Sequence, residues 1–215
     1  MVTEQTGHAD RDADQLAHAG RAADRGASTR ATLLAAAREV FMQEGYAQAA
    51  ITDIVALAGA SVGSLYHHFA GKADLYMALF GELNAAREAR TRAAVRKVRQ
   101  AGAADPMRLL LAGARGYLDV GIEQRETAAI FTRGDGPPGF ELMWRRAVLD
   151  WVTWNTEFFA RSGEPLDEAA AIVMTGALML ADAEVSLAAD DDRARQLVDG
   201  VLAVLARLGS RPPQA

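Results

Sequence analysis

From Ser28 onward the apolar residues of this chain recur at helical spacing, and no window alternates with period two over the length of a strand. That regularity confines the fold to packed helices. Leu33, Leu34, Ala37, Val40 and Phe41 form one stripe behind Ser28 or Thr29, either of which can cap a first helix. Gly45 ends it, because glycine takes the left-handed conformation of a helix stop. Ile51, Ile54, Val55 and Ala58 share the face of a short second helix that closes at Gly59. Ser61 is placed to cap a third, whose apolar face is Val62, Leu65, Tyr66 and Phe69. Further helices are predicted at about 72–99, 105–122, 124–133, 138–162, 165–188 and 191–208. GAADP, GDGPPG, RSGEP and AADDD separate them, and GDGPPG is the strongest breaker in the chain. The predicted class is all-α, with about nine helices.

Residues 1–27 mix Asp, Arg, Ala and Gly with almost no large apolar side chains, and a flexible arm is expected there. Arg11, Arg21 and Arg25 could reach a phosphate or a minor groove, although a solvated tail is the plainer reading. No cysteine is present, which excludes disulfides, thiolate zinc sites and cysteine nucleophiles. No apolar run approaches the roughly 18–20 residues of a bilayer span, and the N-terminus lacks a signal-peptide core. A soluble, cytoplasmic protein with no membrane partner is therefore expected. The net charge of −5 argues against a surface that coats nucleic acid, yet leaves room for a small DNA-binding face.

Three short helices, the second and third joined by the tight turn AGAS, make a helix-turn-helix whose third helix offers its N-terminal residues to a major groove. Gly63 costs about 1 kcal/mol of helix propensity against alanine, a cost that close approach to a phosphate would offset. Ser61, Ser64, Tyr66 and His67 supply hydroxyls and a ring nitrogen for phosphates or base edges. Lys72 stands at the start of the next helix, where it opposes the dipole unless an anion is near. The histidine pair is a poor metal site, because helix neighbours point about 100° apart. His67 is expected to be exposed and His68 packed.

The block from Thr29 to about Phe80 resembles the DNA-binding domain of the TetR family of transcriptional regulators. Phe41, Gly45, Tyr46, Asp53, Ile54, Ala58, Gly59, Ser61, Gly63, Leu65, Tyr66, His68, Phe69, Lys72 and Leu75 match that family's pattern at its spacing. The resemblance implies an arm at 1–27, a DNA-binding domain at 28–80 with its motif at about 50–69, and a helical ligand-binding and dimerisation domain at 81–210. It implies a homodimeric regulator, a repressor in the commonest form, on a palindromic double-stranded DNA operator. The candidate DNA contacts are Thr52, Ser61, Val62, Gly63, Ser64, Tyr66, His67 and Lys72. Family members turn the Tyr66 hydroxyl toward a phosphate; at helical spacing it could also be core.

The chain departs from the pattern at three places. Ala50 replaces the usual threonine, Ala60 the usual valine, and Val62 a common lysine; Thr52 could partly substitute for the first. Residues 28–80 hold Arg30, Arg38 and Lys72 against Glu39, Glu44, Asp53 and Asp74. Modest non-specific affinity and a shallow salt slope are expected. These losses favour the alternative of a protein-interaction module that keeps the motif only as a scaffold.

Beyond about residue 90 there is no histidine, which removes serine–histidine triads and the usual zinc sites. Asp119, Asp150, Glu157, Asp182 and Glu184 read as solvated faces. No catalytic residue, metal or cofactor is expected. Along the helix at 138–162, Phe140, Trp144, Ala147, Trp151, Asn155 and Phe158 form a stripe with Met143, Val148 and Phe159 beside it. Core packing explains such a stripe, and so does the wall of a pocket for a small apolar or aromatic effector. The resemblance favours the pocket, with Tyr117, Phe131 and Met174 as further lining. Asn155 would orient a ligand or bond to backbone. In the last two helices Ala169, Ala170, Val173, Gly176, Ala177, Leu180, Leu197, Val201, Leu202, Leu205 and Leu208 suit either a twofold interface or the protein's own core, and the resemblance favours the interface.

Overall fold

The computed structural model describes residues 6–163 and 165–209, with side chains described over 26–163 and 165–208. Among the described residues there are nine helices and no strand. They are α1 (Thr6–Gln48), α2 (Ile51–Leu57), α3 (Val62–His68), α4 (Lys72–Gln100), α5 (Pro106–Glu123), α6 (Arg125–Ile130), α7 (Phe140–Arg161), α8 (Glu168–Ser186) and α9 (Asp191–Gly209). The backbone of α1 leaves helical geometry at Gly45, where φ is 80°. Helical backbone begins at Thr6, whereas the sequence reading expects an arm over 1–27. Ala9, Ala13, Ala17, Ala19, Ala22 and Ala23 favour helix there, against Gly7, Gly20 and Gly26. The side chains of Arg11, Arg21 and Arg25 lie outside those described.

Two compact units divide the chain. One joins the residues up to Glu44 with Gln48–Leu75, and the other joins Gly45–Ala47 with Tyr76 onward. In the first, Leu33, Leu34, Ala37, Val40, Phe41, Ile54, Val55, Leu65, Phe69 and Leu75 are buried. Arg30 lies over the Phe69 ring, 5.0 Å from its centre.

In the second unit α5 supplies Leu110, Ala114, Tyr117 and Leu118 to a core completed by Phe159, Met174, Leu178, Val185, Val198, Leu202 and Leu205. Asp105 caps α5 by accepting from the Arg108 amide (2.8 Å), and Asp167 caps α8 by accepting from Ala169 (2.7 Å). Leu202 and Leu205, read from sequence as interface candidates, are instead core. Small neighbours such as Ala171, Ala181 and Ala194 let α9 settle deeply beside α8.

Asp182 also departs from its expected place on a solvated face. Its Oδ2 accepts from Arg87 Nη2 at 2.6 Å, with the side chains 13% and 5% exposed. Burial pushes the Asp182 carboxyl above the usual range, and Arg87 pulls it back. Gly121 permits the approach, because a Cβ there would stand 2.8 Å from Asp182 Oδ1.

Helix α8 corrects a second expectation. Alanine and aliphatic residues give it 19 residues and a mean hydropathy of 1.5, long and apolar enough to cross a membrane by those measures alone. Its Ala171, Met174, Leu178, Ala181 and Val185 are spent on the core.

Removing one partner of the Arg87–Asp182 pair leaves a buried charge alone. Asp182→Ala is expected to lower unfolding free energy by about 3–5 kcal/mol in urea titration, and Arg87→Met with Asp182→Leu to recover most of it. Equal losses in the single and double variants would contradict this account.

Candidate nucleic-acid interface and ligand cavities

The turn between α2 and α3 is built by its own backbone. Gly59 (φ 61°) lets its amide bond the Ala56 carbonyl (3.2 Å) and the Ala60 amide bond the Val55 carbonyl (2.9 Å). Those two bonds satisfy carbonyls that a helix end leaves open. Ser61 then caps α3, its Oγ accepting from the Ser64 amide at 3.1 Å. Ala50 caps α2 with no side-chain bond, as its loss of threonine implies.

On α3 only Leu65 is buried, and Phe69 follows it inward. Val62 (43% exposed) and Tyr66 (55% exposed) do not pack with them, although the sequence reading gives all four one apolar face. In seven residues α3 turns barely twice, so positions 62 and 66 lie beside, not on, the buried line. Ser61, Val62, Gly63, Tyr66 and His67 thus present an outward surface, Ser64 and His68 are half-buried, and Thr52 on α2 is exposed. The rings of His67 and His68 stand 5.0 Å apart at 73°. Among the described residues no group of three His, Cys, Asp or Glu could hold a metal.

Lys72 has a partner that its sequence position does not reveal. Its Nζ donates to the Ala49 carbonyl at 2.8 Å, tying the start of α4 to the link before α2. Two residues on, Asp74 Oδ2 accepts from the Ala70 amide at 2.9 Å. The lysine therefore holds the motif together, whatever else it touches.

Of the eight candidate ligand residues, those that line a cavity are spread over adjoining hollows, and Tyr117, Trp144 and Trp151 share one of 100 Å³. Phe131, Phe140 and Trp144 line a cavity of 580 Å³ together with Tyr76, Phe80, Leu83, Arg87 and Asp182. Tyr76 packs edge-on against Phe131 (4.9 Å) and Phe140 (5.1 Å). Tyr117, Trp151 and Asn155 line a narrower apolar slot of 50 Å³ with Leu110, Ala114, Phe158 and Leu178. Met179 borders both. Met143 and Met174 line neither; Met174 is core, at 3% exposure. On a helix Met174 sits one turn before Leu178, on the side of α8 that faces inward, a placement periodicity alone leaves open. Asn155 Nδ2 donates to Thr175 Oγ1 at 3.1 Å, so its bond is to a side chain rather than backbone. Arg87 lies 5.0 Å over the Tyr117 ring, and burial raises the Tyr117 hydroxyl well above its ordinary pKa. Arg87 and Asp182 in the larger cavity were missed, because spacing on separate helices carries no sign of a pair 95 residues apart.

A family model described as bacterial regulatory proteins, tetR family, matches residues 33–79. Residues 33–79, which span the end of α1 to the first turns of α4, are therefore similar to the tetR family. The HTH-type transcriptional repressor BepR of Brucella suis is 38% identical over 55 residues, which are 26% of each chain. The match thus spans about a quarter of the curated relatives' length. The likeness in fold to solved structures extends further. NalD, the secondary repressor of the MexAB-OprM multidrug efflux pump in Pseudomonas aeruginosa, aligns with a TM-score of 0.65 at 18% identity, over 84% of this chain and 96% of that one. FadR from Bacillus subtilis, in complex with stearoyl-CoA, aligns at 0.63 and 18% over 81% and 96%.

Ser61→Ala is expected to lower stability by about 1 kcal/mol through the lost cap. Lys72→Ala is expected to lower the melting temperature as well, where a pure phosphate contact would leave it unchanged; thermal denaturation of the DNA-free protein separates the two.

Proposed function

We propose that this chain is a sequence-specific DNA-binding transcriptional regulator that acts in the cytoplasm as a homodimer on a palindromic operator, in the form of a repressor released by a small molecule. The observation that carries the reading is the outward surface of α3, five exposed residues held by a complete turn and cap within a segment similar to the tetR family. Tyr66 reaches a phosphate through its hydroxyl, Ser64 and His67 read base edges, and Val62 meets a thymine methyl. Thr52, Ser61 and the backbone at Gly63 complete the contact to the sugar–phosphate chain.

Dimerisation through α8 and α9 is supported by their unpartnered apolar side chains. Ile172, Val173 and Leu180 on α8, with Val204 and Leu208 on α9, are exposed. Gly176 and Gly200 on the same helices have open space where a side chain would stand, which suits close approach of a second copy. The effector would occupy the cavities of the second unit, and for release it must bind the DNA-free state more tightly than the DNA-bound one. That a structural relative is an efflux-pump repressor and another holds an acyl-coenzyme A is consistent with effector-linked regulation here.

Gel retardation with the DNA upstream of this chain's own gene tests the reading. Specific retardation is expected, weakened equally on specific and unrelated DNA by Tyr66→Phe, with base preference altered at Ser64→Ala or His67→Ala. No retardation, or none beyond that of unrelated DNA, would favour the scaffold alternative. Leu180→Glu with Val173→Glu is expected to halve the mass measured by sedimentation and to abolish binding to the full palindrome.

A further inference from the structure

Along α7 and α4 runs a groove of 770 Å³ that takes Ala147, Trp151 and Phe158 from the stripe and shares no lining residue with the aromatic cavity. Its floor is apolar: Trp154 and Phe158 lie nearly parallel (12°) with ring centres 5.4 Å apart, and Trp151 meets Trp154 edge-on. Its rim is basic. Arg92, Arg96, Arg99 and Arg161 line it against only Glu88 and Asp150. Arg92 is paired with Glu88 at 3.1 Å and Arg161 with Glu157 at 3.2 Å. Arg96 and Arg99 hold no ion pair among the described residues, and both are exposed. In a chain of net charge −5 this concentrates positive potential over an aromatic surface.

The groove is continuous with the slot beneath it. Thr91, Val95, Trp151, Trp154 and Phe158 wall both, and the slot leads inward past Leu110 and Tyr117. At the other end Arg99, Phe158 and Arg161 also border a recess of 480 Å³. The apolar walls favour a ligand that is apolar at one end, and the basic rim favours one that is anionic at the other. Guanidinium groups take carboxylates and phosphates by paired hydrogen bonds, and a cationic or uncharged head would leave Arg96 and Arg99 unanswered.

We infer that the groove and slot bind an anionic amphiphile, its alkyl chain between α4 and α7 and its carboxylate or phosphate head on Arg96 and Arg99. This rests on the second unit being the effector-binding part of the proposed regulator, and it names the class of that effector. A carboxylate needs only the two free arginines; a larger phosphorylated head extends to Arg161 and the recess.

Tryptophan emission of the full-length protein reports binding, since Trp151 and Trp154 wall the site. The probes are dodecanoate, dodecanoyl coenzyme A, dodecanol and dodecyltrimethylammonium, all below micelle formation. The two anions are expected to bind at least about tenfold more tightly than the alcohol and the ammonium, and to weaken with salt. Arg96→Glu with Arg99→Glu is expected to cost the anions at least about tenfold while leaving dodecanol within about twofold. Both positions are exposed, and an unchanged circular-dichroism melt shows that the variant folds. A thioester tighter than the free acid, and weakened by Arg161→Glu, assigns the phosphorylated head; equal affinities assign the carboxylate.

Dodecanol binding as tightly as dodecanoate, or anion affinity indifferent to the double variant, overturns the inference. So does a double variant that changes the oligomeric state while none of the four probes binds, which would make the groove an interface between copies. Operator retention keeps the two readings apart. Arginine-dependent anion binding without release of DNA upholds the site and refutes its role as effector site. Release of DNA by another ligand, with no anion binding, refutes the inference alone.

Discussion

The contact between Arg87 and Asp182 is the constraint on which the second unit turns. A guanidinium and a carboxylate withdrawn from water must find each other, and removing either leaves a charge whose desolvation nothing repays. Satisfying the pair brings α4 and α8 to hydrogen-bond distance at one level, and it requires a glycine at position 121 so that α5 can close on the carboxylate. The Tyr117 ring then lies beneath the guanidinium. Arg87 and Asp182 line the aromatic cavity, Tyr117 lines the apolar slot, and Met179 borders both.

In the first unit the order comes from local backbone chemistry. The bonds at Gly59 and Ala60 end α2, and Ser61, the next residue, caps α3. Lys72 and Asp74 fasten the start of α4 through the carbonyl of Ala49 and the amide of Ala70. With each end satisfied by a neighbour, a seven-residue helix that would be marginal alone holds a fixed outward face.

Much of this could be read in the residues. Breakers such as GDGPPG and the cap at Ser61 placed the helices from α2 onward within a few residues, because they act locally. The buried stripe of α1 was equally plain, since Leu33, Leu34, Ala37, Val40 and Phe41 all face inward. What spacing could not give was the partner across the fold. Asp182 looked like a surface acid, Leu202 and Leu205 suited an interface as well as a core, and Lys72 looked like a phosphate contact, and each has a partner distant in sequence. The stripe of α7 was legible as a stripe; its division among adjoining cavities depends on which side chains of α4, α5 and α8 stand opposite.

Val62 has a consequence for how such a surface could evolve. A lysine at that place attracts every phosphate alike, and its contribution fades as salt rises. An exposed valine contributes by shape, and shape complementarity is indifferent to ions. In the proposed regulator, discrimination between sequences would then persist across salt conditions that change overall occupancy.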